Sequence, residues 1–220
     1  MLLQILLVAH IAVLGYWLGS ELVINSTYRY VCYSKETPFA ERSRLMEHVM
    51  HVDQHVRYAL VLQAGLGVSL AALYGLIPGA AATATVAAVL CVLWLGFVEA
   101  AHRLRHGRVG SMLGTVDRAS RYVFMAVLLC LASGLIGGSW GMPLWLRWKL
   151  ALFAGVMAAG VGIRLALISH FSTWRLMAQV GPDDASNATI RRTYIKATSV
   201  LAVLWLFIAA IVVVSVYKPA

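Results

Sequence analysis

Charge is the scarce ingredient of this chain. Of its 220 residues only 12% are charged and only nine are acidic, against about a quarter charged in an ordinary soluble domain. So little charge cannot clothe a water-facing surface, which excludes a soluble globular class. Cysteine is scarce too. Cys32, Cys91 and Cys130 stand far apart with no CxxC pair, so neither a disulfide framework nor a cysteine zinc site is encoded. The sequence also has no nucleotide-binding loop and no Ser/His/Asp arrangement, which leaves nucleotide chemistry and serine-type hydrolysis without their residues.

Apolar sequence fills the space instead: 61% of the chain is hydrophobic, and it comes in long runs, the signature of a membrane-embedded protein. The runs cover roughly 2–25, 52–77, 80–102, 119–139, 145–170 and 194–217, each long enough for the ~20 residues a bilayer requires. They predict an all-α fold, a polytopic integral membrane helical bundle of six transmembrane helices forming one domain over residues 1–220. The first run reads as a transmembrane helix and not as a cleaved signal, because no basic residue precedes it and Glu21 lies inside it. Ile77-Pro78-Gly79 punctuates a tight hairpin between the second and third spans. Thr37-Pro38 opens a helix that leads into the second span, and Gly181-Pro182 followed by Asp183 and Asp184 marks a turn.

The net charge of +9 belongs to topology, not to nucleic acid. Fourteen lysines and arginines flank the first, third and fifth connections, while the opposite side holds only Arg147, Lys149 and Lys218. That asymmetry puts the three basic connections in the cytoplasm and both termini in the periplasm of a bacterial inner membrane. Trp140, Trp145 and Trp148 then form part of an outer aromatic belt.

Histidine carries the chemistry. Six of seven histidines fall at the basic ends of the helices. The second span carries His48-x-x-His51-x-x-x-His55, and the third carries Glu99-x-x-His102-x-x-x-His106. Residues three, four and seven apart share one helix face, so each triplet forms a row of ligand-type side chains. Counting ~1.5 Å per residue from the outer helix ends puts His55 and His102 both ~33 Å down and His51 and His106 ~39 Å down. By the same count Glu21 and Glu99 lie near ~28 Å and His170 near ~37 Å. Histidine with carboxylate on facing helices is how bundles build transition-metal sites, with iron favoured and copper or zinc compatible. Two histidines on different helices equally make the axial pair of a haem b. His51, His55, His102 and His106 are the candidate ligands, with Glu99, Glu21, His170 and His48 behind them. Taken singly, such histidines are ordinary solvated side chains at a membrane interface. Arg57 and Arg164 are candidate counter-ions for Glu21 or Glu99, since intramembrane charges pair. His10 stands apart, ~12 Å from the outer end of the first span and level with no other histidine.

Two segments carry a family resemblance. The stretch His10-Ile-Ala-Val-Leu-Gly-Tyr-Trp17-Leu18-Gly19 resembles the first-helix pattern of the CopD-like superfamily, which includes the HemJ-type protoporphyrinogen oxidases. Trp145-Leu146-Arg147-Trp148-Lys149-Leu150 is similar to the WLHxKL stretch of the HemJ-type enzymes. The resemblance implies that His10 is a haem ligand and Lys149 a functional lysine. Where the HemJ-type stretch continues to a Tyr-His pair, this chain has Ala159-Gly160, and the two histidine rows lie outside the family pattern.

These features together point to a membrane oxidoreductase acting on a lipid-soluble small molecule or quinone, alone or as a homo-oligomer. A metal-ion transporter and a structural subunit of a membrane complex are the alternatives. The topology is directly testable. Cysteine labels near residues 34, 110 and 185 are expected to react only from the cytoplasmic side, and labelling at 110 from outside intact cells overturns the orientation.

Overall fold

The computed structural model describes residues 1–104 and 107–219. The described residues fold into six long helices: α1 (Leu2–Tyr33), α2 (Phe39–Leu73), α3 (Ala80–Arg103), α4 (Arg108–Ser133), α5 (Leu144–Val180) and α6 (Asp184–Tyr217), with a 3-10 turn at Gly138–Trp140 between α4 and α5. No strand occurs among the described residues. Five helices, α1, α2, α3, α5 and α6, are long and apolar enough to cross a membrane. In α4, Arg108, Asp117, Arg118 and Arg121 interrupt the first half, and the uncharged stretch beyond Arg121 has only 12 residues, 122–133.

The helices run alternately up and down. Each packs on its neighbours in the chain, and α6 closes back on α1. Both buried apolar clusters are built by the same four helices. One joins Trp17 of α1, Ala59 of α2, Val156 and Ala159 of α5, and Leu204 and Ile208 of α6. The other joins Tyr28 and Val31 of α1, Met46 and Val49 of α2, Met177 of α5, and Ile190 and Tyr194 of α6. Helices α3 and α4 flank this core, α3 against α2 and α4 against α5. The four core helices have 32, 35, 37 and 34 residues. At 1.5 Å per residue they reach ~50 Å, well beyond the ~30 Å of hydrocarbon in a bilayer. They therefore extend past the apolar zone at the end where residues 33–39, 103–108 and 180–184 connect the helices, here termed the polar end.

The helix termini have local causes. Pro38 stands at the N-cap of α2 with φ −52°, one position earlier than the first-turn site expected. The Asp183–Asp184 turn doubles as the start of α6. The Asp183 carboxylate accepts a hydrogen bond from the Ser186 N–H (2.8 Å), which holds its pKa below the usual carboxylate range. Gly134, with φ +81°, ends α4 earlier than the 119–139 span predicted. The consequential difference lies at the end of α2. Gly75 adopts φ +71°. Leu76 N–H donates to Ala71 C=O (2.9 Å) and Gly75 N–H to Ala72 C=O (3.0 Å), the paired bonds of a Schellman motif. The helix stops at Leu73, a full turn before the residue 77 expected from hydropathy.

Helices α2 and α3 lie unusually close. A Cβ added at Gly65 would sit 2.7 Å from both Cβ and Sγ of Cys91. The seam continues through Ser69 Oγ donating to Ala84 C=O (3.4 Å) and Gln54 Nε2 to Val98 C=O (3.2 Å). Small residues at a close helix crossing are the usual means of association in lipid. Gly65→Ala should therefore overpack the seam and cost about 1–3 kcal/mol. Cys91→Gly in the same chain should recover part of that loss in thermal unfolding in detergent, and equal stability of Gly65→Ala and wild type rules the close seam out.

Candidate functional site

Twenty-two residues separate Leu73, the end of α2, from His51, and the same number separate Ala80, the start of α3, from His102. Antiparallel neighbours joined by a short turn set equal counts at equal depth, so His51 and His102 are level. Their ring centroids lie 6.1 Å apart with the planes at 69°. The expected pairing of His102 with His55 is thus displaced by one turn, and the early stop at Gly75 is the cause. His55 instead turns toward α1, where the Tyr16 hydroxyl meets its Nδ1 and the Tyr58 ring lies edge-on at 6.1 Å. Glu99 is engaged by the Tyr58 hydroxyl, which donates to it, and by Arg103 on its own helix. His48 is exposed. His106 lies outside the described residues.

Among the described residues, no three His, Cys, Asp or Glu side chains converge to hold an ion. The donor set at His51 and His102 is two imidazoles. That number suffices as the axial pair of a b-type haem, and it is half of a tetrahedral set whose metal–nitrogen bonds are about 2.0–2.1 Å. Residues outside that pair would have to complete the latter.

His170 belongs to a different cluster. It is fully buried, its Nδ1 bonds the Tyr28 hydroxyl (2.9 Å), and its ring stacks on Trp174 at 5.3 Å and 18°. Arg42, also fully buried, lies over Trp174. It donates from Nε to Val31 C=O and from Nη1 to Asn187 Oδ1, both at 3.0 Å. This knot ties α1, α2, α5 and α6 together at the polar end.

Toward the polar end of the apolar zone lies a belt of charges. Arg57 of α2 donates to Asp53 one turn away (3.2 Å) and reaches Asp117 of α4 at 4.0 Å. Arg121 closes on Asp117 at 2.8 Å. Arg164 of α5 lies within electrostatic reach of all four. Glu21 is buried on α1, accepts from Trp17 Nε1 at 3.4 Å and has Asp53 as its charged neighbour. Arg57 is therefore the counter-ion of Asp53 and Asp117, and Arg103 that of Glu99. Asp53 was missed by sequence reasoning, although the i,i+4 spacings Asp53–Arg57 and Asp117–Arg121 were its signal.

In the opposite half of the bundle His10 does have partners. Its Nε2 lies 3.2 Å from Gln63 Nε2 on α2, and Lys149 of α5 is within electrostatic reach. Gly67 makes room for the ring, since a Cβ there would stand 3.5 Å from the imidazole Cε1. His10 Nδ1 and Gln63 Oε1 are buried with no hydrogen-bond partner among the described residues. His10 and Lys149, far apart in sequence, thus come within electrostatic reach of each other.

Comparison of the chain with protein-family models, curated proteins and solved structures finds no match.

The ionic belt makes a stability prediction. Asp117→Ala leaves Arg121 without its carboxylate and should cost about 3 kcal/mol or more. The double variant Asp117→Leu/Arg121→Leu, which removes both charges, should cost less than the single. Thermal unfolding in detergent measures both, and a double variant that loses more than the single sinks the buried-pair reading.

Proposed function

We propose that the chain is a six-span protein of a bacterial inner membrane, with both termini periplasmic, that works as an oxidoreductase on a lipid-soluble substrate such as a quinone. Its centre is a transition ion or a b-type haem held at the cytoplasmic edge by His51 and His102. The single observation that carries this reading is the meeting of these two imidazoles at one level on adjacent helices. The topology rests on the basic residues gathered at the polar end and on the up-and-down course of the helices, which takes α4 through the bundle with the other five. When bound, such a group supplies one-electron chemistry. The chain's own residues hold it and fix the neighbouring side chains: Tyr16 orients His55, and Tyr58 with Arg103 occupies Glu99.

A second reading has its own observation. His10 and Lys149, the two residues selected by the likeness to the CopD-like superfamily, come within electrostatic reach in the outer half, with Gln63 beside His10. Ionisable groups at that depth are functional by default, and a haem there would draw on His10 as its ligand.

The absorption spectrum and metal content of the purified protein separate these readings. A Soret band selects haem, and iron without one selects a non-haem centre. His51→Ala and His102→Ala should each lose the bound group, and the double variant should be little worse, because residues of one centre act together. His55→Ala should retain it. Loss confined to His10→Ala and Lys149→Ala moves the centre to the outer half. Wild-type cofactor content in all four single variants removes both centres and favours a transporter or a structural subunit.

A further inference from the structure

Arg164 has no carboxylate of its own. Among the described residues it makes no hydrogen bond and no ion pair within 4.0 Å, whereas Arg57 and Arg121 are both engaged with aspartates. Asp53 and Asp117 balance Arg57 and Arg121 one for one, leaving the Arg164 guanidinium as surplus positive charge. The other acid at this level, Glu21, is bonded to Trp17 on α1 and forms no ion pair among the described residues. A guanidinium carries five donors in a planar fork suited to oxyanions.

Arg164 is half-buried on α5, the helix against which α4 packs. Helix α2 packs on α1 and α3, and α4 packs on α3 and α5, so Arg57 reaches Asp117 across a gap between α2 and α4. The Arg57 and Arg121 side chains keep 25% and 18% of their surface exposed, so water or a headgroup can reach both. By helix rise, Arg164 lies ~30 Å from Leu144 and Arg57 ~24 Å from Leu73. With a hydrocarbon core ~30 Å thick, these Cα positions stand at or within ~6 Å of its edge, from which long arginine side chains can snorkel toward the phosphates of one leaflet. Basic pockets between transmembrane helices on the cytoplasmic side are suited to anionic headgroups.

We propose that Arg164, with Arg57 and Arg121 at its sides, forms a binding site for a phosphate oxyanion between α2, α4 and α5, and that its occupant is the headgroup of an anionic phospholipid. The phosphate supplies the acceptors that Arg164 lacks and cancels the surplus charge. The site is independent of which cofactor the protein carries.

The sign of a stability change tests this. In lipid-free, phosphate-free detergent, Arg164→Gln removes an uncompensated charge and should raise the unfolding temperature of the full chain. Added phosphatidylglycerol should protect the wild type and not Arg164→Gln. Native mass spectrometry should show the wild type retaining phosphatidylglycerol at least tenfold better than phosphatidylcholine. Arg164→Gln should lose that preference, and Arg192→Gln, an exposed charge removed elsewhere, should keep it. Arg164→Lys should keep part of it, which covers the case in which Arg164→Gln does not fold. Protection by inorganic phosphate as strong as by phosphatidylglycerol, and lost in Arg164→Gln, identifies a free anion as the occupant and overturns the lipid assignment. A lowered unfolding temperature in Arg164→Gln with lipid preference intact overturns the site altogether and makes Arg164 a structural partner of Asp53 and Asp117.

Discussion

A backbone in hydrocarbon has no water to bond, and every other feature of this protein follows from that constraint. The chain meets it with helices longer than the apolar zone, so that peptide groups are satisfied locally and the termini emerge where water can reach them. Side chains then face the same demand. Ser20, Ser69, Thr85 and Ser215 return their hydroxyls to carbonyls of their own helix. Others are bonded across helices, as Gln54 is to α3 and Asn25 to Thr198 of α6. The polar residues of the bundle are thus its cross-links.

Those cross-links divide the molecule by strength. Among α1, α2, α5 and α6, two apolar clusters and the Arg42–Trp174–His170 knot act together. The flanking pair is attached differently. Helix α3 adheres to α2 through small residues, and α4 is joined to α2 across a gap by the ion pair of Arg57 with Asp117. Ionic strength therefore acts on the α2–α4 contact far more than on the packed seams.

Composition and the long apolar runs revealed the helical architecture, since hydrocarbon tolerates few other solutions. The misreadings came from positions where local chemistry outweighs hydropathy. Leu76 and Ile77 are apolar and look like helix, but Gly75 in a left-handed conformation ends α2 before them. That single residue moved the partner of His102 from His55 to His51. His170 shares its depth with the histidine rows yet faces Tyr28 and Trp174, because depth along an axis says nothing of rotation about it. The pairing of Gln63 with His10 depends on helix rotation that one sequence does not encode.

The interlock of Gly65 with Cys91 also bears on motion. Two helices whose backbones nest this closely cannot slide or rotate past each other without a clash, so α2 and α3 move as one rod. Any opening of the bundle must then hinge elsewhere. Among the described residues, α4 lies outside that rod and packs mainly against α5. Displacement of α4 relative to the rod would break the Arg57–Asp117 contact.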